Sequence, residues 1–481
     1  MKRILGKYKN LSIVAKATLW YMIANVLVKG AALLSTPIFT RVMTEEQYGT
    51  YAIFQSWYNI IIIFTSLNIF LGGYTKGLLK YKENINQYTS SSLAMTTFIT
   101  CCWGIAYLAN VKFWTGVFQL SPVLMAAMFV ELLIMPAFEF WAARSRFEYH
   151  YKKYVFASVW ISIFSIILGI IAVLNTSQRV EARVFTDIFA KATVGVPIFL
   201  LLIFRGKTIF DKIFWKYNFL FNLPLIPHYL SNYALNQSDR LMISRMIGNV
   251  QAAYYSVAYQ ISTMMIFIVT AINNALTPYI YQTINSGDNE DIKQTTRPVF
   301  LIMALLCIIT MAFAPELIML FAGSNYTQAI YVVPPISASV YFIFLYGMFS
   351  TIEYYYQKTL RIAIATVVAA AVNIALNYFC IKAFGYYAAG YTTLVSYILL
   401  ALLHYQFYRG VLREEMHTEE NLYDMRAIML SGVLVLSVMF VMTLTYKVIW
   451  LRYGIIAVIC VIGCIKRKEL KKMLSTFKAR R

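Results

Sequence analysis

Lys29 stands mid-way along an apolar run that begins near residue 14. An ionised side chain at that depth in a bilayer costs ~2.5–3.5 kcal/mol, so its ammonium should face protein, water or an anion. Lys191 is equally deep, but Asp187, one turn earlier on a helix, offers it an i,i+4 partner and with it the plainer role of a neutralised bridge. Glu131 and Glu139 bracket Pro136 in another apolar run and suit ion pairs or cation binding. The stretch NFLFNLPLIPHYLSNYALNQSDR, residues 218–240, is too polar for a lipid-facing helix. Pro224 and Pro227 should break it, and His228 or Asp239 could carry a coupling proton or sodium ion, as groups on broken membrane helices do. Its end, Asp239 and Arg240, could equally have reached headgroup depth. Arg41, Arg240 and Arg245 carry planar guanidinium groups matched to diphosphate oxygens, although at such positions solvation or lipid headgroups compete. This chemistry recognises ions rather than making bonds. The sequence contains no nucleophile elbow, phosphate loop or zinc-ligand spacing, and its six cysteines fall in apolar segments without His or carboxylate company. We therefore expect no enzyme, no metal and no cofactor other than a coupling ion, H+ or Na+.

What must position these residues follows from composition. Sixty per cent of the 481 residues are apolar, only 13% are charged and the mean hydropathy is +0.63, against a charged share of ~25% in soluble domains. The chain is a polytopic membrane protein. Fourteen apolar runs are candidate spans, and their continuity, without strand-like alternation, makes them helices. Most of the 42 Lys and Arg residues fall in alternate connecting segments, which places both termini in the cytoplasm and explains the net charge of +21 without nucleic acid. The basic start MKRILGKYKN leads into an apolar run too long for a cleavable signal, so we expect a first membrane helix there. The connections are far shorter than the ~50 residues of the smallest domains, leaving no room for a soluble catalytic part. RGKTIFDKIFWKY, residues 205–217, and the tail KRKELKKMLSTFKARR are basic enough to lie on anionic lipid, or simply to fix topology.

One polar junction is written twice. Arg41, Gln47 and Tyr51 recur at the same spacing as Arg245, Gln251 and Tyr255, each time between the first and second candidate spans of a six-span set. A duplicated six-helix unit has an even number of crossings, so its copies would run the same way, related by a pseudo-twofold axis along the membrane normal. The expected fold class is all-α. It comprises an N-terminal lobe over 1–208, a C-terminal lobe over 209–410, and two further helices with a basic tail over 411–481.

Three blocks carry a family resemblance: KGAALLSTPIFTRVMTEEQYGTYAIFQSW at 29–57, DRLMISRMIGNVQAAYYSVAYQI at 239–261, and VNIALNYFCIKAFGYYAAGYTTLVSY at 372–397. In this order they resemble the Wzx-type polysaccharide flippases, whose superfamily also holds the multidrug and toxin exporters and the lipid II flippases. Tyr386, Tyr387 and Tyr391 depart from the smaller residues usual in the third block. The resemblance implies movement of an undecaprenyl-diphosphate-linked oligosaccharide across a bacterial plasma membrane by a monomer that rocks between two states. It also implies work alongside a polysaccharide polymerase and other assembly proteins. Lys29 is the first choice for the diphosphate contact, with Lys191, Arg41, Arg240 and Arg245 behind it; His228, Asp239, Asp187, Glu131 and Glu139 are the candidates for ion coupling. A cation-coupled drug exporter is the nearest competing reading, and a membrane polymerase or acyltransferase a more distant one.

Overall fold

The computed structural model describes residues 12–287 and 289–465; the basic tail lies outside the described residues. Among the described residues all regular structure is helical. The helices are α1 (Ile13–Val42), α2 (Glu45–Ser66), α3 (Gly73–Lys80), α4 (Ile85–Ala109), α5 (Val111–Phe118), α6 (Pro122–Phe147), α7 (Tyr151–Leu174), α8 (Arg179–Gly206), α9 (Lys212–Asn222) and α10 (Ile226–Met246). They continue with α11 (Asn249–Thr263), α12 (Met265–Ser286), α13 (Asn289–Ala312), α14 (Ala314–Phe321), α15 (Val333–Tyr355), α16 (Thr359–Phe384), α17 (Tyr387–Glu415), α18 (Met425–Thr445) and α19 (Ile449–Ile465).

Eleven helical spans among the described residues are long and apolar enough to cross a membrane, against the fourteen expected. The three that fall short are helical but differ for physical reasons. α2 is diluted by Gln55, Ser56, Asn59 and its Trp and Tyr residues; α10 by Asn232, Asn236, Gln237, Asp239 and Arg240; and α19 has 17 residues up to the end of the described chain. The expected break at Pro224 and Pro227 is present as a short 3-10 turn, Leu223–Leu225, that separates α9 from α10.

The chain forms two compact units, Met1–Ala253 and Tyr254–Arg481. In the first, α8 lies against α6 and α7, and α2 against α10. The boundary at 208/209 was expected from the sequence repeat, whereas by packing the first unit also holds α9 and α10. Asn218 on α9 donates to Ser92 Oγ at 2.8 Å, and Ser56 on α2 donates to Gln237 on α10 at 3.0 Å. In the second unit α17 lies against α15 and α16, the same arrangement that α8 makes with α6 and α7. A short helix precedes the fourth long helix of each set, α5 before α6 and α14 before α15.

The duplicated junction has a structural purpose at both corners. Thr44 caps α2 in a reciprocal capping box with Gln47, while Glu45 and Glu46 sit at the positive end of the helix dipole. The second corner lies against the first: Asn249 Nδ2 donates to Thr50 Oγ1 at 3.1 Å, and Ser244 Oγ donates to Asn249 Oδ1 at 2.5 Å. Gly49 makes this approach feasible, because a Cβ there would fall 2.0 Å from the Asn249 carbonyl oxygen.

Many of the 37 tyrosines are core residues rather than interfacial ones. In the second unit Tyr341 donates to Ile428 O at 3.1 Å, Tyr423 to Met348 O at 2.9 Å, and Tyr408 Oη accepts from Leu422 N at 2.6 Å. Each ring is fully buried and each hydroxyl is satisfied, so the core gains large apolar area without an orphaned polar atom.

Candidate functional site: a buried charge chain in the first unit

Arg183, Asp187 and Lys191 follow at i, i+4 and i+8 on α8, which aligns them along one helix face. Arg183 Nη1 donates to Ser165 Oγ at 3.0 Å, and that hydroxyl donates to Asp187 Oδ1 at 2.6 Å. Lys191 Nζ then bridges Asp187 Oδ2 at 2.7 Å and Glu131 Oε1 at 2.5 Å. Aromatic faces close the chain. The Arg183 guanidinium lies 4.2 Å from the Phe39 ring centre and 5.2 Å from that of Tyr51, and Lys191 Nζ lies 5.6 Å from that of Tyr58. Four helices contribute, α1, α2, α6 and α8, with Ser165 from α7 as the relay.

Two cations face two carboxylates, so the chain is neutral when all four groups are ionised. Burying such charges is tolerable only because each has partners; removing one partner of a buried pair costs ~3–5 kcal/mol. Glu131 Oε2 is buried with no hydrogen-bond partner among the described residues, which leaves one carboxylate oxygen open to a proton or a small cation.

The remaining sequence candidates are spread more widely. Lys29 is exposed within its unit, on the face of α1 that also shows Asn25. Arg41 is exposed in the last turn of α1 and donates to Pro37 O at 2.6 Å. Arg240 donates to Gln237 Oε1 at 2.7 Å, and Arg245 is exposed at the end of α10. Asp239 is fully buried. His228 Nε2 lies 3.2 Å from Asn232 Nδ2, while its Nδ1 is buried with no partner among the described residues. Glu139, two turns beyond Glu131 on α6, is half-buried.

Sequence reasoning missed three groups. Arg183 lies one turn before Asp187, a spacing that signals its membership, but it sits close enough to the end of its span to pass for a topology charge. The second is Glu353 on α15 with His404 on α17, fully buried, with Glu353 Oε1 2.7 Å from His404 Nδ1 and the Tyr346 ring stacked on the imidazole. The third is Arg452 on α19, which donates to Glu316 Oε2 on α14 at 2.7 Å. The last two pairs join residues far apart in sequence, and no local spacing announces them.

An all-helical membrane chain with this element order has solved counterparts. One is titled a lipid II flippase, MurJ, in an inward-closed conformation: TM-score 0.65, 14% identity, covering 94% of this chain and 100% of that one. Another is a multidrug resistance MATE transporter of the MOP superfamily in an inward-facing conformation, TM-score 0.62, 12% identity, covering 84% of this chain and 100% of the other. The fold is thus the one shared by these two solved structures, titled as a flippase and an exporter. The polysaccharide biosynthesis protein family model matches residues 14–284, more than half of the sequence, and the chain belongs to that family. The MatE model matches residues 224–379. A Haemophilus influenzae protein of the Lsg locus is 23% identical over 286 residues, which is 56% of this chain and 67% of that protein.

Proposed function

We propose that the protein is a flippase that carries an undecaprenyl-diphosphate-linked oligosaccharide across a bacterial plasma membrane by alternating access, with both termini cytoplasmic. The observation that supports this most is the family match over residues 14–284, which ties a transporter fold to polysaccharide biosynthesis. In this reading the chain works as two lobes, residues 1–208 and 209–410. Lys29, Arg41, Arg240 and Arg245 supply the positive charge that meets the diphosphate, while Lys191, held by Glu131 and Asp187, adds charge only if one of those carboxylates takes up a proton. Glu131, with its open oxygen, is the leading coupling group, followed by Asp187, Glu139, His228 and Asp239. The polyprenyl chain stays in lipid, so the site needs to shelter only the headgroup and sugars. A polymerase and other assembly proteins would take up the product.

The reading is tested by removing the protein from its host and labelling lipid-linked glycan in inverted and right-side-out membrane vesicles. Accumulation of the glycan on the cytoplasmic leaflet, relieved by the wild-type chain, is expected. A normal distribution between leaflets in the depleted cells would reject it.

A further inference from the structure

The short helix α9 is held in place by its inner face. Trp215 Nε1 donates to Ser91 O at 3.1 Å, Asn218 Oδ1 accepts from Tyr88 at 2.7 Å, and Asn222 Oδ1 accepts from the backbone N–H of Gly73 at 3.0 Å. Asn218 and Asn222 are fully buried. This seats α9 against α3, and the outer surfaces of the two helices enclose a cleft of about 580 Å³. Both elements follow an even number of expected spans, so their contact agrees with one side of the membrane.

Three ammonium groups line that cleft: Lys80 from α3, and Lys212 and Lys216 from α9. Lys212 and Lys216 are one helical turn apart, a like-charge spacing that destabilises a helix unless an anion intervenes. All three are exposed, and no carboxylate pairs with them among the described residues. The nearest acid along α9, Asp211, is occupied as a helix cap, accepting from Ile213 N at 2.8 Å and Phe214 N at 3.0 Å. Lys80 Nζ lies 4.8 Å from the Tyr217 ring centre and 5.3 Å from that of Tyr81, an arrangement that orders the ammonium without neutralising it. Beside the charges, Ile213 is 66% exposed and Leu220 60% exposed. An occupant must therefore offer negative charge to the lysines and hydrocarbon to the apolar side chains.

We propose that this cleft is a binding site for an anionic phospholipid, its phosphate held between Lys80, Lys212 and Lys216 and its acyl chains laid along Ile213 and Leu220. Charge and apolar surface on a helix lying beside a bundle are the two signals of stable lipid attachment. The cleft shares no lining residue with the charges proposed to meet the cargo, and its occupant would bind the connection between the sixth and seventh long helices to the leaflet.

Native mass spectrometry of the full-length protein in neutral detergent, titrated with phosphatidylglycerol or phosphatidylcholine, tests it. The wild type should retain phosphatidylglycerol in preference, and Lys80→Gln with Lys216→Gln should weaken that retention roughly 30-fold without altering phosphatidylcholine. Lys80→Arg with Lys216→Arg should keep it. Single Lys212→Gln gives a second, smaller loss should the double variant not fold. Equal retention of the two lipids, undiminished phosphatidylglycerol binding in the Gln variants, or Gln-sensitive retention of inorganic phosphate alone would each overturn the proposal, the last by assigning the cleft to a free anion.

Discussion

Lys191 shows how much of a deep charge can be read from its neighbours. Its i,i+4 relation to Asp187 is visible in the sequence, and the structure places the two 2.7 Å apart. Glu131, its second partner, lies 60 positions away on another helix, a distance at which spacing carries no information. Because both partners are buried, Lys191→Met alone leaves two carboxylates facing each other without their cation, and should destabilise the protein by ~3–5 kcal/mol. Adding Glu131→Gln removes one stranded charge, while Asp187 keeps Ser165 and the nearby Arg183, so much of the loss should return. Thermal unfolding of the detergent-purified variants checks this. A single variant as stable as the wild type would show that the ion pairs do not hold the helices.

At the level of elements, the corner between α1 and α2 depends on a residue without a side chain. Gly49→Ala would put a methyl group against the Asn249 backbone, which cannot yield without moving the start of α11, and overpacking of this kind costs ~1–3 kcal/mol. Gly116→Ala in α5 is the matched control, since nothing lies within 4 Å of a Cβ there and alanine is the better helix former. Unfolding curves should show the first variant weakened and the second unchanged or improved; equal behaviour would mean that the corner is not close-packed. Helix positions were legible because apolar runs are local signals, and Pro224 with Pro227 announces the break before α10. The cap of Thr44 with Gln47 that starts α2 emerged only from the structure. The turn at Met264 that divides α11 from α12 has no proline and was not legible. Nor was the contact of the two corners: their shared spacing in the sequence shows likeness, and only the fold brings Gly49 to Asn249.

For the whole molecule, composition alone determined the class, since so apolar a chain must meet lipid along most of its length. The fold is then shared with solved structures titled as a flippase and as an exporter. The chain carries a charge-balanced cluster with one open Glu131 oxygen in its first unit, and arginines and a lysine exposed on α1 and α10, the charges that the proposed function assigns to an anionic headgroup. The most direct measurement uses proteoliposomes that contain the purified chain and a polyprenyl-diphosphate-linked oligosaccharide, with a membrane-impermeant oxidant reporting which sugars face outward. The account predicts glycan crossing that depends on the wild-type protein and falls at least about tenfold in Lys29→Ala, the loss of one charge-assisted contact. No crossing beyond protein-free vesicles would contradict the flippase reading; full crossing by Lys29→Ala would remove Lys29 from the diphosphate site.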